Sequence, residues 1–332
     1  MAGCRGLEAM ISVAVEGQGV AACCCALLLQ RAGSSCSRIG RYPIGRVPAL
    51  VVSQSTQRLM ADVFGDPALF AGLPRIERRI VAWGANAAPH TLPHSAVVIA
   101  EEALAARLPA IAQSATGADW TVFATGAPPA AKRQFGTRRA SVIPAEIEPV
   151  DAACWVESLS AGWLFLIPGW LIAVGGDPQT LLAESRLVAP RIRSLGNSAV
   201  SYAACPRIAD PLCLPGWLAC GSSAMAFDPI CGDGTGNAVR EAILASAVLR
   251  AAARGEPVGP MLAHYRTRLI AAFRKHLQLC LGYYRAANAG PWWESEIAAQ
   301  ECGVRWCEEQ LAAAPTFQYR LDGFDLLPVT GS

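Results

Sequence analysis

Residues 10–33 read MISVAVEGQGVAACCCALLLQRAG. An apolar, β-branched run over 11–15 enters Gly17-Gln18-Gly19, reaches Ala22, and continues as a small-residue helix over 20–31 that Gly33 closes. Three readings compete: a membrane span, a metal-binding cysteine cluster and a nucleotide-binding turn. A spanning helix needs about 20 predominantly apolar residues. Here Glu16, Gln18 and two glycines interrupt the run, so the segment reads as a core helix and no membrane span is expected. Cys23, Cys24 and Cys25 step about 100° each around a helix. They point in three directions and cannot converge on one ion, so no metal site is expected from them.

The nucleotide turn fits. Gly17 allows the tight turn, Gly19 lets backbone approach a pyrophosphate, and Ala22 permits close packing of helix on strand. The helix start adds free N–H groups and a positive dipole end. One element is missing. The second strand of such a unit ends in an acid that binds ribose, whereas this chain runs into Gly40-Arg41 with no Asp or Glu nearby, so that contact is absent or supplied from elsewhere.

Composition narrows the class. A 332-residue chain that is 53% hydrophobic and 16% charged holds ample core for one large or two ordinary domains, and a net charge of +2 gives no field suited to nucleic acid. The thirteen cysteines include no C-x-x-C and are odd in number, which suits reduced core thiols and a cytoplasmic location. The first ten residues lack a convincing secretory signal. Lys132 and Lys275 are the only lysines.

Along the chain, patterning predicts a helix over 53–64, a strand over 76–83, a loop over 87–93, a helix over 100–113 and a strand over 120–123. Short β-like runs follow over 152–157, 162–167 and 170–174, then a buried strand over 217–220 and helices over 237–253 and 260–286. The fold class expected is α/β: a Rossmann-like nucleotide domain (10–65, 96–130 and 205–258) with an inserted β-sheet substrate domain (66–95 and 131–204) and a C-terminal helical region (259–332).

The second informative stretch, residues 215–242, reads PGWLACGSSAMAFDPICGDGTGNAVREA. Its strand ends at Gly221-Ser222, and Asp228-Pro229 leads through Gly232 and Gly234 into a helix whose start presents N–H donors to an acceptor. This pattern resembles the flavin motif of the FAD-dependent aromatic hydroxylase superfamily, the class A flavoprotein monooxygenases, and within it the branch of flavin-dependent tryptophan halogenases and related monooxygenases. Asp228, Pro229, Gly232 and Gly234 match its D-P-x-x-G-x-G. Gly17, Gly19 and Ala22 fall where that family holds the ADP moiety, Thr125 and Gly126 match its A-T-G, and residues 162–168 resemble the sheet that covers the flavin. The similarity spans about residues 10–290, in a chain shorter than usual for the family. Ser222 replaces the acid that holds the ribityl chain; as a neutral donor it is worth about 1 kcal/mol.

The resemblance implies FAD as cofactor and an oxidoreductase that hydroxylates an aromatic substrate, free, carrier-bound or peptidyl, through a flavin hydroperoxide, with a separate flavin reductase as possible partner. It marks no single catalytic side chain. Halogenation is the alternative: Trp163-x-Phe165-x-Ile167-Pro168 approaches the halogenase W-x-W-x-I-P, yet the second Trp is Phe, and the lysine that family uses has no counterpart before Lys132. A non-catalytic flavin-binding relative would explain both missing acids, and a pyridine-nucleotide dehydrogenase would leave the second motif without purpose. Trp163, Phe165 and His90 are the candidate substrate-pocket residues, with His94 beside His90 on the same loop; Trp163 and Phe165 equally suit a buried strand. His264 and His276 are expected on the surface of the long helix, and Trp292-Trp293 either at the pocket wall or capping the C-terminal helix.

Overall fold

Val13, Ala14 and Val15 are almost fully buried because their strand, Ser12–Glu16, lies inside a parallel array that helices cover. The computed structural model describes residues 11–39, 47–112, 117–148, 151–314 and 319–329. Ser12–Glu16 pairs in parallel with Ser35–Ile39 on one side and Trp120–Phe123 on the other. Trp217–Ala219 extends the array in parallel, and Cys213–Leu214 closes it as an antiparallel edge. Gly40 and Arg41, where the ribose-binding acid is missed, lie outside the described residues.

The described helices are α1 (Val20–Arg31), α2 (Gln54–Phe64), α3 (Glu101–Ala105), α4 (Pro178–Glu184), α5 (Gly221–Ala224), α6 (Gly234–Ala253), α7 (Val258–Arg285) and α8 (Pro291–Ala312). α1 packs along α6, and Ala21, Ala22, Cys24 and Cys25 are buried there as small core side chains. α2 starts and stops as its sequence predicts: Ser53 accepts the Thr56 N–H, and Gly65 closes the helix in the left-handed region at φ 71°.

A second, mostly antiparallel sheet runs in the order Leu50–Ser53, His90–Ile99, Arg75–Ala82, Ala153–Leu159, Gly162–Ile167, Trp170–Gly175, Arg139–Ile147, Ile192–Leu195, with Val200–Ala203 also on Arg139–Ile147. One junction is parallel, where Arg75–Ala82 meets Ala153–Leu159. Gly162–Ile167 is buried on both faces. Trp163, Phe165 and Ile167 join one core with Trp293 and Tyr284, while Leu164 and Leu166 join another that contains Leu181 of α4. The architecture is the expected mixed α/β fold.

Several local expectations change. The predicted loop over 87–93 is largely strand, beginning at His90. Its Pro93 pairs only with Arg78, at the register shift between Ile76 and Arg78 and beyond the reach of Leu50–Ser53, which meets Ala96 to Ile99; such an irregularity is where a strand tolerates proline. The predicted helix over 100–113 shrinks to Glu101–Ala105, with Pro109 just beyond. α6 begins at Gly234 rather than at 237. A Cβ on Gly236 would run into Asp233 and stand 2.5 Å from Thr56 Oγ1, so glycine permits α2 and α6 to meet there. The C-terminal region adds a hairpin, Tyr319–Asp322 with Asp325–Pro328. His264 and His276 are buried, not exposed, since α7 packs against both α6 and α8.

Candidate cofactor and active site

The first glycine turn is built for backbone proximity. Gly17 adopts φ +130°, and a Cβ there would lie 2.6 Å from Thr125 N. Thr125 Oγ1 donates to Gln18 O at 2.6 Å and accepts from Gln18 N at 3.3 Å, pinning the turn to the end of Trp120–Phe123. Gly19 (φ +87°) occupies the N-cap of α1, where no side chain caps the free N–H groups and a Cβ would meet nothing closer than Glu101 Oε1 at 3.9 Å. Ala22 is fully buried behind the turn. Gly126 is buried, and its carbonyl accepts from Ser223 Oγ.

Gln18, Gly19, Thr125, Ser222 and Gly234 line a cavity of about 250 Å³. Ser222 is exposed there, its hydroxyl only weakly engaged by Ala124 O at 3.4 Å. Glu241 reaches the same cavity; burial raises its pKa well above the usual carboxylate range against a bond from the Gly221 N–H.

A second cavity of about 210 Å³ shares Leu50, Phe227, Gly234 and Thr235 with the first and is floored by Asp228, Pro229 and Gly232. Gly232 ends the short turn Pro229–Cys231 in the left-handed region at φ 62°. A third cavity of about 290 Å³ shares Phe165 and Pro229 with the second and is walled by Trp83, Trp163, Ile230 and Arg79. Of the three candidate pocket residues, the structure places Trp163 and Phe165 on this wall. His90 is exposed at the head of its strand and does not line the cavity. His94 stands behind the wall, its Nε2 3.1 Å from Arg79 Nη2; burial and then the Arg79 charge lower its pKa to about 4. Trp292 and Trp293 start α8 and stack around Tyr284 behind Trp163 rather than lining the cavity.

Asp228 does more than its motif suggests. Its side chain faces the protein, where Oδ2 accepts from Arg138 Nε at 2.7 Å and from Tyr284 Oη at 2.8 Å, and Oδ1 caps Ile230 N at 2.9 Å. Its own N–H donates to His276 Nε2 at 2.9 Å. Arg138 also pairs with Glu296 of α8, and its guanidinium lies 4.9 Å over the Tyr284 ring. Burial works against the Arg138 charge, but Asp228, Tyr284 and Glu296 hold it above the ordinary arginine value. Arg138, Tyr284 and Glu296 were not singled out from sequence, because nothing local marks partners so far apart in the chain, and His276, expected on the surface, is instead buried in this network.

The glycine cradle and the serial cavities fit an extended dinucleotide: Cβ atoms would fill the turn at Gly17, and the N-termini of α1 and α6 face one continuous trough. No protein-family model and no curated protein sequence matches the chain. Solved structures do. The peptidyl tryptophan dihydroxylase QhpG, essential for tryptophylquinone cofactor biogenesis, aligns with a TM-score of 0.72 at 20% identity over 87% of this chain and 79% of its own. The flavin-dependent halogenase CmlS gives 0.72 at 14% over 91% and 71%. The p-nitrophenol 4-monooxygenase PnpA from Pseudomonas putida gives 0.67 at 12% over 91% and 97%. The chain has the fold shared by the FAD-dependent halogenases and the aromatic hydroxylases.

Proposed function

We propose that this protein is an FAD-dependent monooxygenase acting on an electron-rich aromatic group. The observation that carries the reading is the series of three cavities with common walls, from the glycine cradle, past the Asp228 turn, to an aromatic chamber. Bound FAD would supply the activation of dioxygen. The chain's own residues do the rest. The α1 and α6 N-termini hold the anionic linker, Gly17 and Gly19 admit it, and Ser222 offers its hydroxyl to the ribityl chain. Pro229, Gly232 and Gly234 shape the floor against the ring, while Trp163 and Phe165 keep water from the chamber.

At about 290 Å³ the chamber suits one aromatic ring system, since sites for larger ligands run from about 300 to 1,000 Å³. Arg79 is the charged group on its wall and would orient an acceptor of the substrate. The likeness to a peptidyl tryptophan dihydroxylase supports a protein-borne as well as a free substrate. Among the described residues no helix is long and apolar enough to cross a membrane. The odd number of cysteines and the lack of a C-x-x-C support a cytoplasmic location, and a separate reductase is the proposed electron source.

Halogenation is the second reading, favoured by the likeness to CmlS. Lys132 and Lys275 speak against it, being exposed and outside the chamber wall. The test supplies reductase-generated reduced FAD, oxygen, chloride or bromide, and a panel of indoles, phenols and Trp- or Tyr-containing peptides, with products weighed by mass spectrometry. Gain of oxygen is expected. A halogenated product overturns the reading, and no turnover of any aromatic favours a non-catalytic flavin-binding relative.

A further inference from the structure

Cys231 and Cys280 lie 49 residues apart in the chain, yet their sulfurs are 3.4 Å apart. Cys231 ends the turn Pro229–Cys231, behind the wall that two cavities share; Cys280 lies one helical turn after His276 on α7. The His276 Nε2 stands 3.4 Å from the Cys280 sulfur. Together the three side chains form a soft donor cluster. The imidazole lone pair is already committed, since Nε2 accepts the Asp228 N–H at 2.9 Å, and a metal ion there would orphan a buried backbone donor. What remains available is sulfur facing sulfur, with Cys231 partly open to solvent and Cys280 buried.

We propose that Cys231 and Cys280 form an oxidative modification site, a peroxide-reactive thiol with its resolving partner. A hydrogen bond from the Cys280 thiol pulls the Cys231 pKa below the ordinary cysteine value against the effect of burial. Burial pushes Cys280 well above it. The division of labour follows, because the thiolate is the nucleophile. The Cys231 thiolate attacks hydrogen peroxide; an S–O bond forms, the O–O bond breaks and hydroxide leaves, giving a sulfenic acid. The Cys280 sulfur then attacks Cys231, an S–S bond forms, the S–O bond breaks, and the Cys280 proton leaves with the hydroxide as water. In sum, two thiols and one peroxide give one disulfide and two waters. Closing from 3.4 Å to the bonded distance of about 2.0 Å would staple the Asp228 turn to α7.

The test treats the whole protein with limiting hydrogen peroxide, alkylates the remaining thiols, digests it and reads the peptides by mass. A Cys231–Cys280 cross-linked peptide is expected to appear about tenfold faster than oxidation of Cys302, which is exposed and serves as internal control. In Cys280→Ser the cross-link is lost and Cys231 becomes trappable by dimedone; in Cys231→Ser neither product forms. Consumption of Cys302 at the same rate without the cross-link overturns the proposal. So does one equivalent of zinc in the isolated protein that Cys280→Ser removes. None of these readouts requires FAD, so their failure is separable from failure of the monooxygenase reading.

Discussion

Arg138 and Asp228 form an ion pair with neither side chain exposed, Nε to Oδ2 at 2.7 Å, joining the start of the Arg139–Ile147 strand to the head of the second glycine-rich turn. Removing one partner of a buried pair strands the other charge. Asp228→Ala is therefore expected to cost about 3 kcal/mol, read as a lower urea midpoint, with Glu296 left as the sole carboxylate partner of Arg138. Asp228→Ala with unchanged stability would show that the pair does not organise the turn.

Gly17 and Gly19 separate two demands. Gly17→Ala sets a Cβ against backbone at Thr125 and is expected to lower stability by about 2 kcal/mol. Gly19→Val meets nothing closer than Glu101 Oε1 at 3.9 Å but strains the backbone at φ +87°, so the variant is expected to lose about 2 kcal/mol yet stay folded, while losing yellow cofactor on purification. Retained flavin absorbance in folded Gly19→Val would remove the pyrophosphate from this turn.

Ser222→Asp is expected to tighten FAD about tenfold, because a carboxylate accepts a ribityl hydroxyl more strongly than a serine can. Ser222 is exposed to the cavity and weakly bonded, so the exchange breaks little. A weaker Kd by fluorescence titration would mean that the ribityl chain runs elsewhere.

His94 gives a pH signature. Its folded pKa of about 4 lies below the ordinary 6.5, so the unfolded chain binds the proton more readily. This contribution is complete above pH 6.5 and is lost as pH falls toward 4. Melting temperatures followed across that window are expected to fall less steeply in His94→Gln than in the parent; parallel curves would refute the assignment.

The two glycine turns were legible because each packs strand, turn and helix into one short stretch, where local geometry selects the residue types. Pro93 misled because its meaning depends on which neighbour strand reaches it. His276 misled for a related reason: helical spacing gives its face of α7, and the packing of three helices decides that the face is covered. The Arg138 network was invisible, since partners 90 and 158 residues away leave no local trace. Cys231 and Cys280 likewise read as two scattered thiols until the turn folds onto α7.

The Arg138 network also sets an order of events during synthesis. Arg138 and Asp228 have left the ribosome long before Glu296 is made, so a nascent chain carries the buried arginine with one of its two carboxylates and without the helix that roofs it. The Asp228 turn acquires its final brace only when α8 docks. Chains cut short before α8 are thus expected to keep the Asp228 turn tied to Arg138, Tyr284 and His276, while the buried Arg138 lacks its second carboxylate.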